Sequence, residues 1–236
     1  MNRTAAYSRA QQGIPVAQLG VDVRGAFITR TYTHLLGAIL AFALIEIYLF
    51  QTGMAESIAR VLLGGSWLIV LGGFIILSWI ASHFAHSAQT RGGQYGALGL
   101  FVVGEAIIFT PLLYVADSMA PGVINSAATV TLLGFLGLTI VAFHTRKDFS
   151  FLGGLLRWGF ICALVLIVAS VLFGFHLGTI FTVAMIVLAG GAILYDTSNV
   201  LHHYPEDRHV GAALQLFASV ALLFWYILQF FLSSRD

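Results

Sequence analysis

An aspartate stands near the end of a long apolar run, where a charge is expensive. Asp196 follows the apolar segment 192–195, and burying its charge in hydrocarbon costs several kcal/mol unless a partner is present. Helical spacing puts Asn199 and His203, at i+3 and i+7, on roughly the same face. Such a carboxyl is a candidate for gating by protonation, because desolvation favours its neutral form. The alternative is that Asp196 hydrogen-bonds the end of a neighbouring helix.

Two glutamates occupy other apolar runs. Glu105 is about ten residues into its run, near the middle of a bilayer, where a carboxyl must be neutral, paired or hydrated. We therefore treat it as a second candidate site residue. Glu46 lies near the outer end of its run beside Tyr48. It is predicted to reach the lipid headgroups as an interfacial anchor rather than to form a site.

The last apolar run carries a polar stripe. Gln215, Ser219 and Tyr226 recur at i, i+4 and i+11, on one face of a helix. Such a stripe suits a central helix enclosed by the others. Interhelical hydrogen bonding alone, worth about 1 kcal/mol, also explains it.

Enzymatic and metal chemistry find little support in the residues. The histidines around Pro205 do not match the spacing of zinc ligands. An intramembrane aspartyl protease would need a second carboxylate on a Gly-x-Gly-Asp helix, and Asp196 is the only aspartate inside the apolar runs. Phosphate-binding glycine loops and nucleophile elbows are also missing. The sequence predicts no enzyme, no resident cofactor or metal, and no nucleic-acid partner.

Composition identifies the kind of protein that must position these residues. Of the 236 residues, 59% are hydrophobic and only 9% are charged, whereas about a quarter of the residues of a soluble domain are charged. The chain is therefore predicted to be an integral membrane protein with the lipid bilayer as its partner. Its single cysteine, Cys162, excludes an intrachain disulfide.

Apolar runs of about membrane-spanning length follow one another along the chain. The seven runs cover approximately residues 27–50, 61–83, 95–115, 124–143, 155–175, 177–201 and 210–232. Helices are expected, because a helix satisfies its own backbone groups in lipid. The predicted fold is all-α: a bundle of seven transmembrane helices over residues 27–236, with the seventh helix central. Residues 1–26 are polar and are predicted to form a flexible cytoplasmic arm.

Basic residues orient this bundle. If seven spans are threaded alternately, nine of the 11 Lys and Arg residues fall on one side, and only Arg60 and Arg235 fall on the other. Because basic loops stay in the cytoplasm, the amino terminus is predicted to be cytoplasmic and the carboxyl terminus to lie outside.

Three segments of the sequence resemble those of one family. Residues 145–154 read Thr-Arg-Lys-Asp-Phe-Ser-Phe-Leu-Gly-Gly, residues 192–202 contain Ile-Leu-Tyr-Asp-Thr, and residues 212–219 fall in the last run. With the seven runs, they resemble the Bax inhibitor-1 family, also called the transmembrane Bax inhibitor motif proteins. The resemblance covers the whole chain and implies a membrane-embedded helical bundle.

Family members of the bacterial calcium-leak type are similar in using two aspartates as a pH-sensitive pair that controls a cation path. Asp196 matches the first of these, at the end of the sixth helix, whereas Ser219 stands where the second would be. The resemblance implies Ca²⁺ or protons as the transported species, with Glu105, Asn199 and His203 near the path. The argument from two carboxylates sharing a proton does not carry over.

Other details look more like the YccA branch of the family. These are Ser219, the loop 146–154 and the Thr-Ser-Asn that follows Asp196. The YccA branch is associated with restraining FtsH, an ATP-dependent protease of the bacterial inner membrane that pulls substrates in by a cytoplasmic tail. The resemblance implies an inner-membrane location and a possible role for the arm 1–26. Modulation of an FtsH-type protease is the favoured function, and a pH-sensitive calcium leak around Asp196 is the alternative.

Overall fold

The computed structural model describes residues 13–65, 68, 71–79, 91–145 and 147–234. Secondary structure in these ranges is helical, apart from an isolated bridge between Pro15 and Pro205. The main helices are α1 (Val21–Gln51), α2 (Met54–Gly64), α3 (Arg91–Met119), α4 (Val123–Thr145), α5 (Leu152–Phe173), α6 (Gly178–His202) and α7 (His209–Ser233). Short 3₁₀ helices cover Val16–Gln18 and Glu206–Arg208, and residues 71–79 are helical.

Six helices, α1 and α3 to α7, are long and apolar enough to cross a membrane. The prediction of an all-helical membrane bundle is therefore confirmed. The second predicted span, 61–83, lies partly outside the described residues. Its first residues belong to α2, which ends at Gly64, and its later part includes the helical segment 71–79. The count of seven spans remains a prediction.

Helix α7 lies in the middle of the bundle, as the polar stripe indicated. It packs against α1, α3, α4 and α6. Leu214, Leu216, Phe217 and Leu228 are each at most 2% exposed and point in different directions around the helix. A helix that is buried on all sides is the core of its bundle.

Helix α5 lies at the edge of the bundle and packs chiefly against α6. The contact is close because α5 presents glycines to it. A Cβ on Gly153 would lie 2.9 Å from the Tyr195 ring, and one on Gly159 would lie 2.7 Å from a methyl carbon of Leu188. Small residues let helix backbones approach in lipid, so these two glycines bring α5 onto α6.

The segment before α1 is folded against the loop between α6 and α7. Val16 is fully buried, and its backbone N–H donates to the carbonyl of Tyr204 at 2.8 Å. Helix α1 begins at Val21, six residues earlier than the predicted start at Phe27. Residues 13–26 of the predicted flexible arm are thus part of the folded bundle, and residues 1–12 lie outside the described residues.

Candidate functional site

A cavity of about 1100 Å³ lies between α3, α5, α6, α7 and the segment 71–79. Its lining extends along α5 from Gly153 to Val171 and along α7 from Leu214 to Ser233. At 1.5 Å per residue, each of these stretches is about 27–29 Å long. This is close to the roughly 30 Å thickness of the hydrocarbon core of a bilayer, so the cavity follows most of the membrane span.

Asp196 lines this cavity from α6 and is only 2% exposed. The Ser219 hydroxyl, on α7, donates a hydrogen bond to Asp196 Oδ2. Gln215, one turn earlier on α7, is a second hydrogen-bonding partner of the same carboxyl. The residue that stands in place of a second aspartate therefore meets Asp196 directly, as a hydrogen-bond donor.

Glu105 lines the same cavity from α3 and is 3% exposed. Two other polar groups, Gln229 and Ser233, also line it and continue the predicted stripe of α7 towards its carboxyl end. Three of the five predicted site residues, Asp196, Ser219 and Glu105, thus share one cavity. The extension of the stripe was visible in the sequence, because Gln229 and Ser233 follow Tyr226 at helical spacing.

The structure does not bring Asn199 and His203 to this cavity. Helix α6 ends at His202, and the Asn199 carbonyl accepts the backbone N–H groups of His203 and Tyr204 there. Because His203 lies beyond the helix, the i+7 spacing from Asp196 no longer decides where its side chain points. The prediction that His203 shares the face of Asp196 is wrong for this reason, and Asn199 is half-buried without lining the cavity.

His203 belongs instead to a polar contact that we call the loop clasp, formed by Asp148, Phe149, Ser150, Ser198 and His203. Its Nε2 lies 3.0 Å from Asp148 Oδ2. The other oxygen of Asp148 accepts the Ser150 N–H at 2.9 Å and the Ser198 hydroxyl at 3.4 Å. Ser198 Oγ accepts the Phe149 N–H at 2.8 Å. The Ser150 N–H, assisted by His203, holds the pKa of Asp148 below its ordinary value.

The loop clasp joins two of the segments that carry the family resemblance. Asp148 and Phe149 belong to the 145–154 segment, and Ser198 belongs to the 192–202 segment. The third segment, 212–219, reaches Asp196 through Ser219. The three segments are separated in sequence but meet at one end of the bundle.

Glu46 is buried rather than anchored at the surface. It is 6% exposed, and its Oε2 lies 3.4 Å from the hydroxyl of Thr110 on α3. That hydroxyl also donates to the Ala106 carbonyl at 2.8 Å. Its contact with Glu46 is therefore the longer and weaker of the two. The predicted interfacial anchor is therefore wrong. Hydropathy gives the depth of a residue, but it does not show which side of α1 packs against α3.

Two more histidines meet at the same end of the bundle. The rings of His34 and His209 are 5.1 Å apart, and His34 Nε2 lies 2.7 Å from the Tyr95 hydroxyl. Nδ1 of His34 lies 2.7 Å from the Arg30 carbonyl. Both ring nitrogens of His34 are thus used in hydrogen bonds between helices or within α1. Over the described part of the chain, no group of three or more His, Cys, Asp or Glu side chains has the arrangement of a metal site.

Comparison with known proteins identifies the family. The family model described as "Inhibitor of apoptosis-promoting Bax1" matches residues 24–236. The chain belongs to the Bax inhibitor-1 family and is a membrane protein of that family. The resemblance seen in the three segments is confirmed.

Individual relatives come from bacteria, a virus and a plant. The Golgi anti-apoptotic protein of Vaccinia virus (strain Lister) is 27% identical over 225 residues, 92% of this chain and 89% of that protein. The protein named "Modulator of FtsH protease YccA", from Escherichia coli (strain K12), is 34% identical over 134 residues. That match covers 55% of this chain and 60% of YccA, and it supports the YccA-like branch.

Proposed function

We propose that this protein modulates a membrane-bound, ATP-dependent protease of the FtsH type. The observation that carries the proposal is the 34% identity, over 134 residues, to a protein named as a modulator of FtsH protease. The bacterial relative is thus named as a modulator, and the viral relative is named as an anti-apoptotic protein. Under this proposal the protein acts by binding the protease in the membrane, without using a catalytic group of its own.

Co-reconstitution tests this function. The protease, a membrane substrate and the full-length protein are placed in the same vesicles, and the rate of substrate degradation is measured with and without the protein. We expect the protein to slow degradation several-fold. An unchanged rate at a molar excess of the protein would overturn the proposal.

The contribution of the amino-terminal segment can be tested separately, because the structure shows which residues of the segment from residue 13 onwards contact the bundle. Pro15 pairs with Pro205, the Val16 N–H donates to the Tyr204 carbonyl, and Val16 is buried there. Deletion of residues 2–12 leaves that contact in place. If this variant restrains the protease as fully as the intact chain does, then the segment is not what the protease recognises, and the transmembrane bundle must be.

The second function that we propose is pH-sensitive passage of cations, with calcium as the candidate ion. It is supported by the cavity, which follows most of the membrane span and is lined by Asp196, Ser219 and Glu105. Membrane-embedded acids usually mark ion or proton paths. Asp196 and its donor Ser219 come from different helices, so a proton gained or lost there would change the contact between α6 and α7.

Calcium-loaded vesicles test this second function. We expect efflux from vesicles that contain the purified protein to depend on pH, and the dependence to be lost in Asp196→Asn. Ser219→Asp supplies the second aspartate of the calcium-leak type and should make the pH dependence steeper. Efflux that equals that of empty vesicles, or an Asp196→Asn variant that behaves like the unmodified protein, would overturn it.

We infer that the loop clasp and the amino terminus lie on the cytoplasmic side of a bacterial inner membrane. The distribution of Lys and Arg supports this orientation. The single cysteine makes it testable: in a Cys162→Ser background, Ser150→Cys should react with an impermeant maleimide only after the cytoplasmic side is exposed. Labelling of Ser150→Cys from the outside of intact cells would reverse the orientation.

A further inference from the structure

The two walls of the cavity differ in chemistry. The α5 wall is mainly apolar: it includes the hydroxyl of Ser170, but Leu156, Phe160, Leu164, Ile167 and Val171 are spaced along one face of the helix. The opposite wall, on α7, carries the polar stripe. Water would hydrate the polar stripe but would leave the apolar wall uncovered. Because the cavity lies within the membrane span, the apolar molecules at hand are lipid chains.

Over the residues that the structure describes, protein covers the α5 wall only in part: Leu156 is 6% exposed, but the wall is more open further along the helix. In the described part of the chain, α5 packs chiefly against α6, and the cavity separates it from α3 and α7. Leu164 and Val171 line the cavity and are 37% and 40% exposed. An apolar wall of this kind loses favourable contacts unless hydrocarbon fills the space beside it.

One cation stands at the end of this wall. Arg157 lines the cavity one residue after Leu156 and is exposed. The ion pairs found among the described residues do not include it. The contact between Gly153 and Tyr195 puts this end of α5 level with Asp196, at the end of the bundle that we assign to the cytoplasm. An arginine at the level of the headgroups that has no ion-pair partner among the described residues attracts an anionic headgroup.

We propose that the cavity binds an anionic phospholipid, with its headgroup at Arg157 and one acyl chain along the apolar wall of α5. The first part of the wall, from Arg157 to Ile167, spans ten residues and about 15 Å. This is about half of the roughly 30 Å thickness of the hydrocarbon core. Because the core is two leaflets thick, one acyl chain covers this depth. The proposal is independent of protease binding and of cation passage. If cations do pass, the bound chain lies in the same cavity as Asp196 and limits its hydration.

Quenching of tryptophan fluorescence by brominated lipids tests this site with a matched control. The four tryptophans are Trp67, Trp79, Trp158 and Trp225. One variant keeps only Trp158, which is 67% exposed on α5 and does not line the cavity. The other replaces all four by Phe and carries Phe160→Trp, which lies inside the cavity about 3 Å further along the helix. Each is reconstituted with brominated phosphatidylglycerol or brominated phosphatidylcholine.

We expect the probe at position 160 to be quenched by brominated phosphatidylglycerol at about one fifth of the mole fraction required for brominated phosphatidylcholine. This ratio corresponds to ~1 kcal/mol for one basic side chain at an anionic surface. Arg157→Gln should bring the ratio close to one. Ala218→Leu, which fills the cavity from α7, should weaken quenching at position 160 and leave the Trp158 protein unchanged.

Three results would overturn the proposal. They are equal lipid preference at the two probe positions, no quenching at position 160, and no effect of Ala218→Leu on quenching there. If Phe160→Trp does not give a folded protein, Leu164→Trp places the probe one turn further along the same wall, with the same expectations.

Discussion

Asp196 and Glu46 are both carboxyl groups inside membrane-spanning helices, and both are nearly inaccessible, but their surroundings differ. Asp196 lines the large cavity and has hydrogen-bonding partners on a second helix. Glu46 does not line that cavity, and its one hydroxyl neighbour, Thr110, is committed to a backbone carbonyl. Burial alone therefore does not mark a site in this protein. Access to the cavity and donors from another helix distinguish Asp196.

The largest effect is expected when each acid is replaced by its amide. Asp196→Asn should reduce the pH dependence of calcium efflux by about tenfold or more, because the amide side chain, unlike a carboxyl group, does not gain or lose a proton when the pH changes. Glu46→Gln should leave the dependence unchanged, because Glu46 does not line the cavity. Efflux from vesicles, measured in parallel for both variants, checks the comparison. An equal loss of pH dependence in the two variants would mean that lining the cavity is not what distinguishes Asp196 from Glu46.

Next in size is the effect of a methyl group at the contact that fixes the Asp196 end of α6. A Cβ at Gly153 would lie 2.9 Å from the ring of Tyr195, whereas one at Gly154 has nothing within 4 Å. Gly153→Ala should destabilise the protein by about 1–3 kcal/mol through overpacking. Gly154→Ala should be neutral or stabilising by up to about 1 kcal/mol, from helix propensity.

Unfolding in detergent micelles measures both alanine variants. We expect the free energy of unfolding of Gly153→Ala to be clearly lower than that of Gly154→Ala. Similar values for Gly153→Ala and Gly154→Ala would show that Tyr195 moves aside and that α5 is not held closely at this point.

A smaller effect is expected from removing the two hydroxyl groups beside the acids. Ser219→Ala removes a donor to Asp196 and should cost about 1–2 kcal/mol, near the upper range for a hydrogen bond between membrane helices. Thr110→Ala should cost less than about 1 kcal/mol, because its contact with Glu46 is long. The same unfolding measurement ranks them. A greater loss of stability in Thr110→Ala than in Ser219→Ala would mean that Glu46, and not Asp196, has the stronger hydrogen-bonding partner.

The smallest effect is expected at the loop clasp, where the side chains of Asp148 and His203 are about half exposed. The pKa of Asp148 is lowered in the folded protein, so its stabilising contribution is present above the ordinary pKa of an aspartate and is lost as pH falls through the lowered value. Hydrogen exchange in residues 147–151 should therefore stay slow on moderate acidification and rise only in strong acid.

Asp148→Asn is the matching variant for the clasp. It should raise exchange in residues 147–151 already at neutral pH, by no more than the few-fold change expected of an exposed ion pair. Exchange that is equally slow in the unmodified protein and in Asp148→Asn at all pH values would show that Ser198 alone holds the loop.

The membrane-spanning helices, the central helix and two of the buried acids could be predicted from the sequence. Long apolar runs must form helices in lipid because their backbone groups have no other partner, and the six described spans lie where the runs predict them. The stripe of Gln215, Ser219 and Tyr226 correctly indicated a central seventh helix. Asp196 and Glu105 were recognisable because charges in apolar runs are rare, and the three family segments were sufficient to identify the family.

The tertiary structure decided which of these residues meet. It joined Ser219 to Asp196, separated His203 from Asp196 where α6 ends, and enclosed Glu46 against α3. It also joined Pro15 and Val16 to Tyr204 and Pro205 in the loop after α6. The physical reason is that hydropathy and periodicity specify depth and helix face. The neighbour of each face depends on packing between helices that are distant in the chain.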